Sequence, residues 1–241
     1  MRTDSPPTLE TADCDKLLDY LRYNSHTANK MRKAVRNYAM GLLMLDAGLR
    51  VGELVSLRVS DLYFNRKPVR NVIIKPDMTK NKVEHSIPVS ELLSAALVVF
   101  FDVWWLNNET PEREFAFTNV STDRSITTRQ VERIIRAAGW KALGRPVHPH
   151  VLRHTFASRL MRITNSSTVQ EMLGHKYLAS TQVYCHPNED DKRQAIVLAS
   201  HPESPAQHSH QETASPAEPP KPAHPGSVPA SPSGPPPATR W

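Results

Sequence analysis

Twelve of the 21 prolines fall between His201 and Trp241, and they limit where this chain can build a core. The stretch otherwise holds mainly small and polar residues, with almost no large apolar ones. Such a segment cannot bury enough surface to offset its conformational entropy. Residues 201–241 are therefore expected to form a disordered, Pro-rich tail, partly polyproline II. Its PPKP and SGPPP runs would suit a proline-reading module, but a solvated tail explains them more simply. At the other end, Pro6-Pro7 opposes early helix, so residues 1–10 read as a flexible leader. Residues 11–200 remain, enough for one substantial domain.

Charge follows the same division. The chain carries +6 with His neutral, and the tail sets Lys221 and Arg240 against Glu203, Glu212 and Glu218. The tail is thus −1 and residues 1–200 carry +7. A basic globular part suits a phosphate-rich partner, although charge alone is a weak signal. Cys14 and Cys185 form no CxxC pair, so no disulfide framework is implied and a reducing compartment is favoured. The start MRTDSPPTLE lacks an apolar signal core, and the longest apolar run, Ala95 to Phe101, is too short to cross a bilayer. A soluble intracellular protein without membrane association is expected.

Periodicity predicts a mainly α (α+β) fold: helices with a small antiparallel β-sheet. Asp13 can cap a helix whose Leu17, Leu18 and Leu21 share a face. A longer helix over 28–47 places Met31, Val35, Tyr38, Leu42 and Leu45 at core spacing, and Gly48 ends it. A short apolar helix follows Arg50 and stops before Ser60-Asp61. Residues 71–75 and 84–89 have strand character, with a polar hairpin loop between them. Ser90-Glu91 opens a helix through Trp105 that is apolar nearly all round and so expected to be buried. A strand-like Phe-Ala-Phe at 115–117 follows. Thr127 and Gln130 form a capping box for a helix to about Leu143. Pro146 and Pro149 precede a helix from about His150 to Met161, with shorter ones at 167–173, 179–185 and 190–199.

Six residues carry the chemistry: Arg50, Lys80, His150, Arg153, His175 and Tyr184. Phosphodiester cleavage needs an in-line nucleophile, stabilisation of the non-bridging oxygens and a proton for the leaving alkoxide. Arg50 and Arg153 suit the oxygens, because a guanidinium donates paired hydrogen bonds and keeps its charge. His150 and Arg153, three apart, share a helix face. Tyr184 is the candidate nucleophile; a phenol with a pKa of about 10 needs a base or a cationic site. His150 can be that base, His175 can hydrogen-bond a phosphate oxygen, and Lys80 in the hairpin loop can act as general acid. No Asp/Glu cluster accompanies them, which argues against a two-metal nuclease.

These residues resemble the tyrosine recombinase family, the phage integrases and Xer-type enzymes, over roughly residues 10–190. The resemblance rests on AGLRVGELVSLRVSD (47–61), HVLRHTFA (150–157), Leu173-Gly-His175, Thr181-x-x-Tyr184-x-His186 and TKNKVEHSIP (79–88). Counting back from Pro88 favours Lys80 over Lys82 as the loop lysine. It implies a site-specific recombinase or integrase that cleaves and rejoins double-stranded DNA through a 3′-phosphotyrosyl link. No metal, ATP or other cofactor would be needed. A homotetramer on DNA and a cytoplasmic, nucleoid-associated location would follow. Members usually carry an N-terminal DNA-binding domain, so this chain reads as either a fragment or a minimal enzyme. Residues 191–199 would dock on a neighbouring protomer or fold back on their own domain. A non-catalytic DNA-binding regulator and a type IB topoisomerase-like relaxase are the alternatives.

Other residues have plainer readings. His148, His150, His154, His175, His186 and Cys185 lack metal-ligand spacing. His154 reads as a packed side chain, and His186 as at most a neighbour of the site. Glu53 can orient Arg50 or be a surface charge. Met40, Met44, Trp104 and Trp105 read as core. Lys30, Arg32, Lys33 and Arg36 either track a phosphate backbone or form a solvated face.

Overall fold

The computed structural model describes residues 7–23, 28–79, 82–107, 111, 114–119, 122 and 124–176. By its internal contacts the chain divides after Glu189, and every described residue lies in the first unit. The expected helices at 179–185 and 190–199, and the tail, lie outside the described residues.

The hub is α2 (Ala28–Leu45), against which α1 (Thr11–Tyr23), α5 (Glu91–Trp104), α7 (Pro149–Met161) and α3 (Val51–Ser56) all pack. Every residue from Ala39 to Leu45 is consequently buried. In α1, Cys14, Leu17 and Leu21 face this core at three- and four-residue steps, as helical periodicity requires. Of the leader, residues 7–10 are described; Leu9 is buried, and its N–H donates to Thr155 Oγ1 at 2.9 Å. Two further described helices are α6 (Thr128–Leu143) and α8 (Ser166–Leu173). Thr127 accepts from the Gln130 N–H at 3.2 Å while Gln130 Oε1 accepts from the Thr127 N–H at 2.9 Å, the capping box expected.

Between α3 and α5 lies the β structure. A four-residue helix α4 (Val59–Leu62) leads to a tight hairpin of β1 (Tyr63–Phe64) and β2 (Lys67–Pro68). β3 (Asn71–Ile74) then pairs antiparallel with β4 (His85–Pro88), Val72 facing Ile87 and Ile74 facing His85.

Some expectations need correction. The helix after Arg50 is two helices, because Asp61 accepts the Arg58 N–H at 2.8 Å and starts a new one. The β1–β2 hairpin was not legible, since its turn puts Asn65 and Arg66 at positive φ and Arg is an unusual residue there. Phe115 makes only an isolated bridge to Arg58, so Phe-Ala-Phe is not a full strand. Met31 is exposed, while Arg32, the next residue, meets Trp104 of α5, whose Nε1 donates to Arg32 O at 3.0 Å. In α5, Leu92, Val98 and Val99 are about half exposed, so only one side of this apolar helix enters the core. Arg36 is buried rather than on a solvated face. Its Nη1 donates to Thr118 O at 2.8 Å, it lies with Arg32 over the Trp104 ring, and burial lowers its pKa to about 10. Met40, Met44, Trp104 and Trp105 are core, as read.

Candidate active site

Three elements meet at the site: the turn from α2 into α3, the first half of α7, and the turn that ends α8. Gly48 closes α2 in the left-handed region (φ 62°), and a Cβ there would fall 2.2 Å from a Phe156 ring carbon. Only glycine fits so tight a turn, which puts Arg50 at the start of α3.

Arg50 is held by Glu53. One carboxylate oxygen accepts from Arg50 Nη1 at 2.7 Å, and the other from the Arg50 backbone N–H at 2.7 Å. Glu53 thus caps its own helix while fixing a guanidinium. It is almost fully buried, whereas the Arg50 side chain remains 29% exposed. Of the two readings of Glu53, the structure supports the one in which it orients Arg50 rather than lying on the surface.

Arg153 forms the floor. Its side chain is 4% exposed, and its Nη1 donates to Gly48 O at 2.5 Å and lies 3.7 Å from Glu53 Oε2. Its Nη2 donates to Leu173 O at 2.7 Å and meets His175 Nε2 at 3.2 Å. Arginine has no acceptor, so His175 Nε2 must be the acceptor and the ring proton sits on Nδ1. The His175 backbone is fixed from both sides by Gln170: its N–H donates to Gln170 O, and its carbonyl accepts from Gln170 Nε2, both at 3.0 Å. Burial first, then the charges of Arg153 and Arg50, lower the His175 pKa to about 4. A neutral imidazole donating through Nδ1 follows.

Of the six sequence candidates, Arg50, Arg153 and His175 are brought together. His150 is exposed on the first turn of α7, one turn before Arg153, with its ring 6.4 Å from that of His154. Lys80 and Tyr184 lie outside the described residues. Sequence reasoning missed His85, which packs on Gly174 and interacts electrostatically with Glu53, Arg153 and Arg50. The signal available was a histidine at an inward position of the β3–β4 hairpin, where the other three are Val72, Ile74 and Ile87. It also missed the outer face of α6, where Arg129, Arg133, Arg136 and Trp140 recur at four-, three- and four-residue steps, all exposed. Among the described residues, no group of His, Cys, Asp and Glu is arranged to hold a metal ion. No described helix is long and apolar enough to cross a membrane.

Two guanidiniums around one carboxylate, with a neutral imidazole beside them, form a cationic cluster whose chemistry suits an anionic oxygen-rich group. The chain belongs to the phage integrase family, whose model matches residues 8–191. It is 31% identical over 197 residues to a tyrosine recombinase of Pseudothermotoga lettingae, covering 81% of this chain and 62% of that protein. It is 32% identical over 172 residues to the tyrosine recombinase XerC of Oceanobacillus iheyensis, covering 69% and 54%. The chain thus spans less than two thirds of the length of these relatives. The fold is similar to the crystal structure of XerA recombinase, with TM-score 0.62, 26% identity, and 81% of this chain and 65% of that chain covered. It also resembles XerH site-specific recombinase in a post-cleavage complex with difH substrate (TM-score 0.56, 22% identity, 82% and 54% covered).

Two expectations follow from the clamp. Glu53→Ala leaves two guanidiniums without their shared carboxylate and should lower stability by roughly 3 kcal/mol in urea unfolding, the range for breaking a buried pair. Glu53→Gln, which keeps an acceptor, should cost clearly less. The second concerns acid. The pKa values of His175 and His85 lie below the unfolded value of about 6.5, so below that pH the unfolded chain binds protons that the folded chain refuses. Stability from His175 is therefore present above pH 6.5 and lost as pH falls toward about 4. A thermal-melt series across this window should show the decline, and His175→Asn should flatten it.

Proposed function

We propose that this chain is the catalytic domain of a site-specific DNA recombinase or integrase. In this reading residues 11–200 are the domain, 1–10 a leader and 201–241 a Pro-rich tail. Double-stranded DNA is the substrate, a homotetramer assembles on it, and the nucleoid is the place of action. The observation that carries the proposal is the Arg50–Glu53–Arg153–His175 cluster, in a chain whose family model runs past Tyr184.

The reaction runs as follows. The Tyr184 oxygen attacks the scissile phosphorus, the bond from phosphorus to the 5′-oxygen breaks, and a 3′-phosphotyrosyl bond forms. The phenolic proton passes to His150, and Lys80 gives a proton to the departing 5′-oxygen. Arg50 and Arg153 neutralise the non-bridging oxygens, and His175 donates from Nδ1. A 5′-hydroxyl of a partner strand later reverses the step, so the bond energy is kept in the phosphotyrosine. The exposed Arg129, Arg133, Arg136 and Trp140 stripe on α6 offers a basic face for the duplex.

Tyr184→Phe should abolish covalent capture of a nicked suicide substrate while DNA affinity stays within about twofold of wild type; capture by that variant would remove Tyr184 from the role. Lys80→Ala should slow cleavage far more than it weakens binding. Capture by the wild-type chain should persist in EDTA. For the α6 face, Arg133→Ala with Arg136→Ala should reduce the slope of log Kd against log salt by about 2, the value for two lost phosphate contacts. An unchanged slope would place the duplex elsewhere.

A further inference from the structure

We infer that His85 is a positioning residue of this site, its ring seating the Leu173–Gly174–His175 turn so that Arg153 and His175 meet. The inference rests on the strand-cleavage reading above for its activity readout. Its spectroscopic readout does not.

The inward positions of the β3–β4 hairpin are Val72, Ile74, Ile87 and His85. Three are aliphatic, as a buried strand face requires, and the fourth is a histidine only 5% exposed. Among the described residues its Nε2 has no hydrogen-bond partner, and its Nδ1 has only Val83 O at 3.4 Å. An unpaired buried polar atom is destabilising, so an aliphatic residue would serve the core better. Local rules broken in this way concentrate at functional sites.

The ring's neighbour shows what the exception achieves. Gly174 ends α8 with φ 59°, and a Cβ on it would fall 2.4 Å from His85 Nδ1 and 2.8 Å from Cε1. The imidazole therefore fills the space of the missing side chain and rests on the backbone of the turn. On one side of Gly174, Leu173 O accepts from Arg153 Nη2 at 2.7 Å, and on the other His175 Nε2 meets the same nitrogen at 3.2 Å. The seat lies between the two contacts that join α8 to Arg153. Strand β4, which follows the loop bearing Lys80 in sequence, thereby sets where His175 stands.

Burial first, then Arg153 and Arg50, lower the His85 pKa, against Glu53 and the Val83 carbonyl, which raise it. Arg50 and Glu53 interact with it from α3, Arg153 from α7, and His175 from the turn after α8. Three of these four are cations or become so on protonation. A proton on Nε2 would add another positive charge with no acceptor.

The test compares wild type with His85→Ser, His85→Phe, Gly174→Ala and the double variant His85→Ser/Gly174→Ala. Three quantities are measured in each: the single-turnover rate of covalent capture at saturating nicked DNA, DNA affinity, and the His175 imidazole resonances followed through a pH titration by NMR. His85→Ser removes the seat and should slow capture at least tenfold with affinity within twofold, while the His175 titration midpoint moves up. His85→Phe keeps a ring and should recover most of the rate. Gly174→Ala forces the turn off its seat and should resemble His85→Ser. In the double variant the new methyl enters the vacated space, so the losses should be less than multiplicative. An unmoved His175 resonance in His85→Ser overturns the inference, as does a rate that falls only in step with affinity and melting temperature. A wild-type chain that captures no DNA would refute the cleavage reading alone, because the His175 titration still decides whether His85 seats the turn.

Discussion

The site depends on one buried carboxylate. Taking a charge out of water costs several kcal/mol even after relaxation, and unit charges about 4 Å apart at an effective dielectric of about 20 recover about 4 kcal/mol. One guanidinium would barely compensate Glu53, and a second adds a further attraction. Arg50 supplies one, at 2.7 Å, and Arg153 the other, at 3.7 Å, from a helix about 100 residues further along. The pairing is reciprocal, since Arg153 is itself buried and needs acceptors, which it finds in Glu53, Gly48 O and Leu173 O. The ends of α2 and α8 are therefore fixed by the demands of one arginine.

The same local device appears twice. Arg50-Val-Gly-Glu53 and Arg58-Val-Ser-Asp61 each begin a helix whose third residue accepts the backbone N–H of the leading arginine. The two differ in what the acid reaches beyond its own helix. Asp61 pairs with Lys75, which is half exposed, and ties α4 to the end of β3. Glu53 pairs with a buried arginine and so creates a positive floor rather than a surface tie. Helix capping is common to both segments, and the depth of the partner makes one of them a site.

That difference explains how much was legible in the sequence. The helices of the core could be read because their signals are local: the Thr127–Gln130 box, the Gly48 stop, and the Leu17–Leu21 spacing. Arg50, Arg153 and His175 could be named because their residue types and order are distinctive, and the structure brings them together. Lys80 and Tyr184 rest on motif and spacing alone. What stayed hidden was tertiary. The exposure of Met31 and of one side of α5, and the burial of Arg36 against Trp104, depend on which neighbours arrive. His85 carried only a faint signal in its own segment, a polar residue on an aliphatic inward face, because its meaning comes from a glycine 89 positions away.

The clamp also divides labour among the titratable groups. Arg50, Arg153 and Glu53 together carry one net positive charge, so under the proposed function a phosphodiester anion meeting the cluster would be neutralised without displacing the ion pairs. A second negative charge developing on the phosphorane would then be met by hydrogen bonds from groups already held in place, which need no reorganisation. His175 is suited to this and unsuited to removing a proton. Its Nε2 lone pair is engaged by Arg153, and the surrounding charge and burial keep its pKa near 4. A base must keep a lone pair open toward solvent or substrate, which among the described histidines of the motif leaves His150, exposed at the start of α7. Under the proposed function, the electrostatics that suit the cluster to an anion would thus leave base catalysis to a residue at its edge.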